Sequence, residues 1–196
     1  REVKKMKRIG KAPKLAFILV GNNPASLAYV GQKKKACEKV GIAYTEIVLP
    51  LATTTAQLVE KIQILNKNKA FHGILVQLPL PRHIDEPQII KAIDPYKDVD
   101  GFHAYNLGKT MLSSEFEYLT PSTPCGVVRL LEYYRVPLRG SDVVIVGRSN
   151  IVGKPLAVML TNRDATVTVC HSKTKNLGLH TKRADIVCVA VGVPGL

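Results

Sequence analysis

Short apolar runs alternate with amphipathic stretches along nearly the whole chain. The run at residues 15–20 (LAFILV) predicts a buried strand, and a helix begins after it at the cap Asn23 and Pro24 and ends before Gly41. Two more strands are predicted at residues 44–49 and 72–78, and two more helices at residues 54–66 and 85–92. This order is typical of a parallel sheet with helices on both faces.

The periodicity fades between residues 94 and 121 and then resumes. A loop of this length inside a folded protein is functional or connects two domains, so we place a boundary near residue 121 and predict domains at residues 1–121 and 122–196. The later pattern predicts helices at residues 123–134 and 151–162, and strands at residues 142–146, 165–170 and 185–191. The predicted fold class is therefore α/β: an N-terminal parallel-sheet domain and a Rossmann-type domain. Since three strands are half of a doubly wound sheet of about six, we expect the natural protein to continue.

Composition and charge exclude several classes of protein. Hydrophobic residues make up 46% of the 196 residues and charged residues 22%, which is typical of a folded chain. No apolar run approaches the roughly 20 residues that span a bilayer, and no signal-peptide pattern is present, so we expect a cytoplasmic protein. The net charge of +13 suits anionic small ligands.

The basic residues are concentrated at the start of the chain. Residues 1–14 contain seven lysines and arginines, which leaves a basic nucleic-acid-binding protein as an alternative from another class. No aromatic side chains are interleaved with these lysines to stack on bases, so we favour the solvated face of a terminal helix.

The four cysteines lie far apart, and the five histidines have no zinc-ligand spacing. We therefore expect reduced thiols and no metal site. The cysteines are Cys37, Cys125, Cys170 and Cys188.

A glycine-containing turn follows the predicted strand at residues 142–146. Residues 147–155 read GRSNIVGKP, with Gly147 at the end of the strand and Gly153 at the start of the helix. Such a turn lets the backbone approach a pyrophosphate, and the amides of the following helix face the anion. The spacing departs from G-x-G-x-x-G, so an ordinary βα turn is the alternative, but the strand before and the helix after favour a nucleotide site.

The next strand indicates which dinucleotide would bind. An NAD site normally has an acidic residue after its second strand, whereas residues 165–170 are followed here by HSKT at residues 171–174. Ser172, Lys173 and the nearby Arg148 suit a 2′-phosphate, which a carboxylate would repel. The sequence therefore predicts NADP, with a simply exposed Lys173 as the alternative.

Polar candidates are fewer in the first domain. Tyr29 and Lys33 lie four residues apart and share a helix face, but Lys33 also belongs to a run of lysines, and from periodicity alone a solvated surface is the better interpretation. Gln77 interrupts an apolar strand at the edge where open α/β sheets bind ligands. Asp98 and Asp100 fit either a turn or a ligand contact, and alone the turn is favoured. An apolar stripe beside Tyr29 and Lys33 is predicted from Leu27, Val30, Cys37 and Val40.

Six motifs occur in order along the chain. They are Tyr29-x-x-x-Lys33, VQLPLP at 76–81, KDVDG at 97–101, Thr123-Pro124-x-Gly126, GRSxIVGxP at 147–155 and HSKT at 171–174. Together they resemble the bifunctional methylenetetrahydrofolate dehydrogenase/methenyltetrahydrofolate cyclohydrolase family, from about residue 13 onward. The chain is similar to the bacterial form, with no transit peptide and no inserted loop before residue 165. Compared with the family, an opening segment and the closing third are missing.

The resemblance implies a function. The enzyme would oxidise 5,10-methylenetetrahydrofolate with NADP and hydrolyse the 5,10-methenyl product to 10-formyltetrahydrofolate. It would do so as a homodimer, in the one-carbon metabolism that serves purine and amino-acid biosynthesis. Hydride removal needs only alignment of the two bound molecules, whereas hydrolysis needs proton transfers that a lysine can serve.

The resemblance also implies residue roles. Lys33 would be the catalytic lysine, and Tyr29 would stack against or position the folate. Gln77 would bond Lys33, and Asp100 would anchor the pterin ring. The cofactor would be held by Gly147, Arg148, Ser149 and Gly153, with Ser172 near the 2′-phosphate and Thr123 and Pro124 near the nicotinamide. The nearest alternative enzyme is another two-domain NADP dehydrogenase that resembles shikimate dehydrogenase.

Overall fold

Helices and parallel strands alternate along residues 2–196, the part of the chain that the computed structural model describes. The fold divides into two units, the first ending at Val99 and the second running from Asp100 to Leu196. No helix within residues 2–196 is long and apolar enough to cross a membrane.

The first unit repeats the strand–helix order that the apolar pattern predicts. It contains α1 (Glu2–Arg8), β1 (Lys14–Val20), α2 (Pro24–Val40), β2 (Ala43–Leu49), α3 (Thr55–Lys67), β3 (Gly73–Val76) and α4 (Glu86–Ala92). The strands form a parallel sheet in the order β2-β1-β3, with Ile18 opposite Ile47 and Val76. This confirms the predicted α/β unit, although β3 is shorter than expected and ends before Gln77. Helix α1 has no buried residue, in agreement with a solvated terminal helix.

The central strand β1 divides the core of the first unit between two faces. Ala16 and Ile18 belong to the apolar cluster that includes α3 and α4, and Phe17 and Leu19 belong to the cluster that includes α2. All four side chains are buried, so β1 has no solvent-facing side along its middle.

Helix α2 begins and ends where the sequence predicts. The side chain of Asn23 accepts hydrogen bonds from the first backbone amides of the helix, and Gly41 adopts the left-handed conformation at its end. The predicted apolar stripe is partly wrong: Val30 and Cys37 are buried, whereas Leu27 and Val40 are 43% and 50% exposed. Seven residues are almost two helical turns, so Val30 and Cys37 form one narrow contact line, and the other two residues lie on either side of it.

The second unit contains a second parallel sheet. Its elements are α5 (Ala104–Leu112), a 3₁₀ turn (Ser114–Phe116), α6 (Ser122–Tyr133), β4 (Asp142–Val146), α7 (Gly153–Thr161), β5 (Thr166–Cys170), α8 (Leu177–Thr181) and β6 (Ile186–Val189). The strand order is β5-β4-β6, with the first strand of the unit in the centre, an order that occurs in doubly wound α/β sheets. Val143 and Ile145 pack with α6 and α7, and Val144 and Val146 face the other side. The predicted Rossmann-type architecture is confirmed.

The long loop predicted between residues 94 and 121 is partly wrong, because it contains α5. The side chain of His103 caps this helix by accepting from the Tyr105 amide at 3.1 Å. Its buried residues, Asn106 and Thr110, are polar, so apolar periodicity could not reveal it. Helix α5 packs against α7, and this groups residues 100–120 with the second unit. The domain boundary near residue 121 stays a prediction.

Candidate functional site

The carboxyl end of β3 presents Gln77 in the first unit. The Gln77 backbone amide donates to the Ile18 carbonyl at 2.9 Å, which continues the pairing with β1 for one residue. The side-chain amide nitrogen donates to the Leu78 carbonyl at 2.6 Å, and the side-chain oxygen accepts a hydrogen bond from Lys33 at 3.3 Å. Gln77 is half-buried, and both ends of its amide are used, so its orientation is fixed by its neighbours.

Lys33 differs from the lysine that follows it. Lys34 forms an ion pair with Glu46 at 2.8 Å, and this hydrogen-bonded carboxylate raises the pKa of Lys34. Lys33 is half-buried and contacts the neutral amide of Gln77. The solvated interpretation that periodicity favoured is therefore wrong for Lys33, and the contact implied by the family resemblance is present. An amide oxygen holds an ammonium group in place without adding a negative charge to the site.

Tyr29 lies one helical turn before Lys33 on α2. Its side chain is 60% exposed, so the ring offers a free apolar face close to the lysine. This exposure suits stacking against a flat ring system, and the role of Tyr29 stays a prediction.

Lys97 was not singled out as a functional residue from the sequence. Its side-chain nitrogen donates to the carbonyls of Leu65, Asn66 and Asn68, at 3.0, 2.7 and 2.9 Å, where α3 ends. Its own carbonyl accepts from the amide of Ile74 in β3 at 2.7 Å. Lys97 therefore fixes the start of the KDVDG motif beside the end of α3 and the edge of β3. Because Lys97 lies 29 to 32 residues after the carbonyls that it caps, no local sequence signal identifies this contact.

The two aspartates of the KDVDG motif differ in their surroundings. Asp98 is 2% exposed, and its backbone forms a parallel bridge with Ile74, so the segment continues the sheet for one residue. Asp100 is half-buried and begins the second unit. Its expected contact with the pterin stays a prediction.

The turn between β4 and α7 requires both of its glycines. Gly147 has a φ of 127°, and a β-carbon there would lie 2.7 Å from the carbonyl oxygen of Ala190. A β-carbon at Gly153 would lie 2.1 Å from the carbonyl oxygen of Gly147. Gly147 thus allows the turn to pass β6, and Gly153 allows α7 to pack directly against the turn.

Ser149 has a structural role that the sequence did not reveal. Its hydroxyl oxygen accepts from the amides of Val152 and Gly153 at 3.1 and 3.3 Å, and its carbonyl accepts from the Lys154 amide at 3.1 Å. Ser149 therefore holds the backbone that leads into α7, while its hydroxyl hydrogen can still be donated to a phosphate oxygen.

A run of backbone amides leads from the end of β4 toward α7. Within residues 2–196, the backbone N–H groups at positions 148–151 have no hydrogen-bond acceptor. Four consecutive free donors before a helix, next to the exposed guanidinium of Arg148, make a cradle for an anion. The turn therefore offers the donors that an anion requires, and the contact of its residues with dinucleotide phosphates stays a prediction.

The turn after β5 lies at the same edge of the second sheet. Val146 and Cys170 are paired partners at the ends of β4 and β5, and the Gly147 amide donates to the Cys170 carbonyl at 2.8 Å. Ser172 and Lys173 are exposed in the turn that follows. Because Arg148 and Ser172 follow neighbouring parallel strands, they lie at one edge.

Thr123 and Pro124 occupy the first turn of α6. Thr123 is exposed and Pro124 is buried, so the proline packs and the threonine hydroxyl is accessible. Their proximity to a nicotinamide stays a prediction. Among the described side chains, no group of three or more His, Cys, Asp or Glu residues could hold a metal ion.

Comparisons with known proteins cover both units. Residues 1–100 match the family described as "Tetrahydrofolate dehydrogenase/cyclohydrolase, catalytic domain", and residues 121–196 match "Tetrahydrofolate dehydrogenase/cyclohydrolase, NAD(P)-binding domain". A curated relative, the bifunctional protein FolD from Helicobacter acinonychis, is 53% identical over 95% of this chain. The chain spans 63% of the length of that relative.

Solved structures give the same result. The bifunctional FolD methylenetetrahydrofolate dehydrogenase/cyclohydrolase from Campylobacter jejuni is 48% identical with a TM-score of 0.96, over 100% of this chain and 69% of that one. The Trypanosoma brucei enzyme, complexed with NADP cofactor and inhibitor, is 36% identical with a TM-score of 0.93, over 99% of this chain and 67% of that one. A shikimate 5-dehydrogenase from Listeria monocytogenes is 12% identical with a TM-score of 0.51, over 93% of this chain and 70% of that one, a likeness of fold alone that does not favour the alternative enzyme.

Proposed function

This chain belongs to the tetrahydrofolate dehydrogenase/cyclohydrolase family, and from this we propose that it oxidises 5,10-methylenetetrahydrofolate with NADP and hydrolyses the 5,10-methenyl product to 10-formyltetrahydrofolate. The observation that carries the proposal is the hydrogen bond of 3.3 Å from Lys33 to Gln77 at the carboxyl end of β3. It places a half-buried amine, the group that the hydrolysis needs, at the ligand-binding edge of a parallel sheet.

The oxidation makes few demands on the side chains of the protein. The bridging carbon of the folate lies between two nitrogens, and loss of a hydride leaves a cation that both nitrogens stabilise. NADP, when bound, supplies the hydride acceptor. No proton has to leave, so the protein contributes by holding the two molecules in contact. Tyr29 would hold the folate by stacking against its ring system, and Asp100 would accept hydrogen bonds from the donors of the pterin ring.

The hydrolysis requires proton movement. Water adds to the methenyl carbon and loses one proton, which leaves a hydroxyl on that carbon. The bond from the carbon to one nitrogen then breaks as this nitrogen gains a proton and the hydroxyl loses its own to form the formyl C=O, so that one proton is released overall. Lys33 would carry the proton between these positions, and positioned general acid–base groups contribute typically 10²- to 10⁴-fold to such steps. Gln77 would keep the lysine nitrogen directed at the reacting carbon.

Recognition of NADP is assigned to the second unit. The free amides at positions 148–151 would bind the pyrophosphate, and Ser149 would add its hydroxyl hydrogen. Arg148 and Ser172 would bind the 2′-phosphate, since no acidic residue occupies the turn after β5. Thr123 would lie near the nicotinamide. The match to an NAD(P)-binding domain supports this assignment, and a similar structure holds NADP.

We propose a wider setting as well. The whole protein would act in the cytoplasm as a homodimer, in the one-carbon metabolism that supplies purine and amino-acid biosynthesis. Family membership supports this setting, and light scattering of the full-length protein would check the dimer.

Two absorbance assays test the proposed activity in the full-length protein. NADPH formation should require 5,10-methylenetetrahydrofolate, and shikimate should not replace it. Loss of 5,10-methenyltetrahydrofolate absorbance should be accelerated without added NADP. Oxidation of shikimate, or the absence of both folate reactions, would contradict the proposal.

A further inference from the structure

A cluster of charged and amide side chains in the second unit is not used by the proposed chemistry. Arg163 donates from one terminal nitrogen to both carboxylate oxygens of Glu117, at 3.2 and 3.1 Å, and from Nε to Glu132 at 3.1 Å. The side chain of Asn162 donates to the same Glu117 carboxylate at 2.9 Å. The Glu117 side chain is only 7% exposed, so its carboxylate accepts three hydrogen bonds in a nearly buried position.

The charges of this cluster are kept. Burial acts to lower the pKa of Arg163, but the hydrogen bonds that Arg163 donates to the carboxylates of Glu132 and Glu117 outweigh it and raise the pKa. A buried carboxylate that keeps a charged partner and several donors is held in one place, because each lost bond would leave a charged group unpaired. Glu117 is therefore held in place by Arg163 and Asn162, and this also fixes the position of the chain segment that contains Glu117.

That segment touches the KDVDG motif. Gly101 is buried and has a φ of 69°, and a β-carbon there would lie 2.5 Å from the carbonyl carbon of Thr120 and 2.7 Å from the carbonyl oxygen of Leu119. The backbone at Gly101 thus packs directly on the backbone two and three residues after Glu117. Asp100 immediately precedes Gly101, so the path of the chain at this contact sets the direction of the Asp100 side chain.

We propose that Glu117, held by Arg163 and Asn162, is a positioning residue for Asp100. It keeps the backbone of Leu119 and Thr120 against Gly101, and the carboxylate of Asp100 then meets the folate from a fixed direction. This inference rests on the proposed function, since the contact of Asp100 with the pterin is part of it. Glu117 itself touches neither substrate.

The first experiment compares KM values in the full-length protein. Glu117→Gln removes the negative charge and one acceptor while keeping the shape of the side chain. We expect KM for 5,10-methylenetetrahydrofolate to rise about tenfold and KM for NADP to change less than about twofold, since only the folate anchor is displaced. Glu115→Gln is the matched control, because Glu115 is an exposed carboxylate in the 3₁₀ turn just before Glu117, and it should change neither value.

The second experiment measures amide hydrogen exchange without substrates. Peptides that cover residues 100–102 and 118–121 should exchange faster in Glu117→Gln than in the unchanged protein or in Glu115→Gln. Arg163→Lys, which keeps the charge but loses the two-pronged contact, should give a smaller effect in the same direction. It also serves as the test variant if Glu117→Gln does not fold.

Asp100→Asn separates failure of the inference from failure of the proposed function. If Asp100→Asn raises KM for the folate and Glu117→Gln does not, the inference is wrong and the proposed function stands. If Asp100→Asn leaves this KM unchanged, the proposed role of Asp100 fails and the inference falls with it. A Glu117→Gln protein that loses thermal stability, with both KM values unchanged or raised equally, would show a purely structural role and overturn the inference.

Discussion

The side-chain nitrogen of Lys33 donates a hydrogen bond of 3.3 Å to the side-chain oxygen of Gln77, which joins α2 to the carboxyl end of β3. Gln77 cannot turn its oxygen away without losing the bond of 2.6 Å from its amide nitrogen to the Leu78 carbonyl. The lysine is therefore directed by a group that is itself held, and that adds no charge. This arrangement suits a residue that must exchange a proton during the reaction.

Replacing Lys33 by Met should separate the two activities. Methionine keeps most of the length and apolar stem of the side chain but cannot carry a proton. Hydrolysis of 5,10-methenyltetrahydrofolate should fall by about 100-fold or more, while NADPH formation should keep a measurable fraction of its rate, because hydride transfer moves no proton. Lys35→Met, at an exposed position two residues later, is the control. Equal losses of both activities would mean that Lys33 mainly positions the substrate.

Gln77→Glu tests whether the group that accepts the hydrogen bond from Lys33 at this position must be neutral. A carboxylate at this position would hold the ammonium group in its charged form and withdraw it from proton exchange. We expect hydrolysis to fall by roughly tenfold to 100-fold with a smaller loss of dehydrogenase activity. Gln63→Glu, on the exposed side of α3, introduces the same charge change away from the lysine. An unchanged rate of hydrolysis in Gln77→Glu would contradict the role assigned to the Lys33–Gln77 contact.

Arg148→Ala should reduce affinity for NADP far more than affinity for NAD. The loss of a charge-assisted contact to the 2′-phosphate, about 1.5–3 kcal/mol, corresponds to a tenfold or greater rise in Kd for NADP. Arg139→Ala is a suitable control, since Arg139 is exposed and its ion pair with Asp164 is long, at 3.8 Å. Calorimetric titration with each dinucleotide measures the effect. Equal losses for both cofactors would place Arg148 on the shared pyrophosphate.

Gly153→Ala should destabilise the second unit. The added carbon would lie 2.1 Å from the Gly147 carbonyl oxygen, so either the turn or α7 must move, at a cost of about 1–3 kcal/mol. The control is Gly108→Ala in α5. An added β-carbon there would have no described atom within 4 Å apart from the neighbouring backbone of its own helix, so alanine should stabilise by about 0.5–1 kcal/mol. Urea denaturation of both variants checks the opposite signs. Equal stability of the two variants would exclude the close approach of α7 to the turn.

Lys97→Met should lower the stability of the first unit. It removes three charge-assisted hydrogen bonds to the last carbonyls of α3, and we expect a loss of about 1.5–3 kcal/mol after the partial exposure of the site is allowed for. Lys67→Met, an exposed lysine in the last turn of the same helix, should cost less than about 0.5 kcal/mol. If thermal unfolding shows the same small loss for both, the cap contributes little.

The sheets and most helices could be predicted because apolar periodicity reports burial directly. It failed at α5, whose buried residues Asn106 and Thr110 are polar. It also predicted that Leu27 is buried, because the spacing of apolar residues does not show how wide the buried face of a helix is. Lys33 could not be assigned from periodicity, since its partner Gln77 is 44 residues away.

Among the candidate functional residues, Gly147 and Gly153 in the turn between β4 and α7 were predictable, since the local backbone has no room for a side chain at either position. The hydrogen bonds that the Ser149 hydroxyl accepts and the contact between Glu117 and Arg163 were not predictable. The first depend on the conformation of the turn, and the second joins residues 46 positions apart.

The turn after β5 is closed by hydrogen bonds among its own residues. The His171 amide donates to the Thr174 hydroxyl oxygen and the Thr174 amide donates to the His171 carbonyl, each at 2.8 Å. The Lys173 amide donates to the His171 ring at 3.1 Å. The side chains of Ser172 and Lys173 carry none of these bonds. The conformation of the turn is consequently independent of the side chains of Ser172 and Lys173, for which a contact with the cofactor is proposed. If that contact forms, evolution could exchange both residues and alter dinucleotide preference while the surrounding loop keeps its shape.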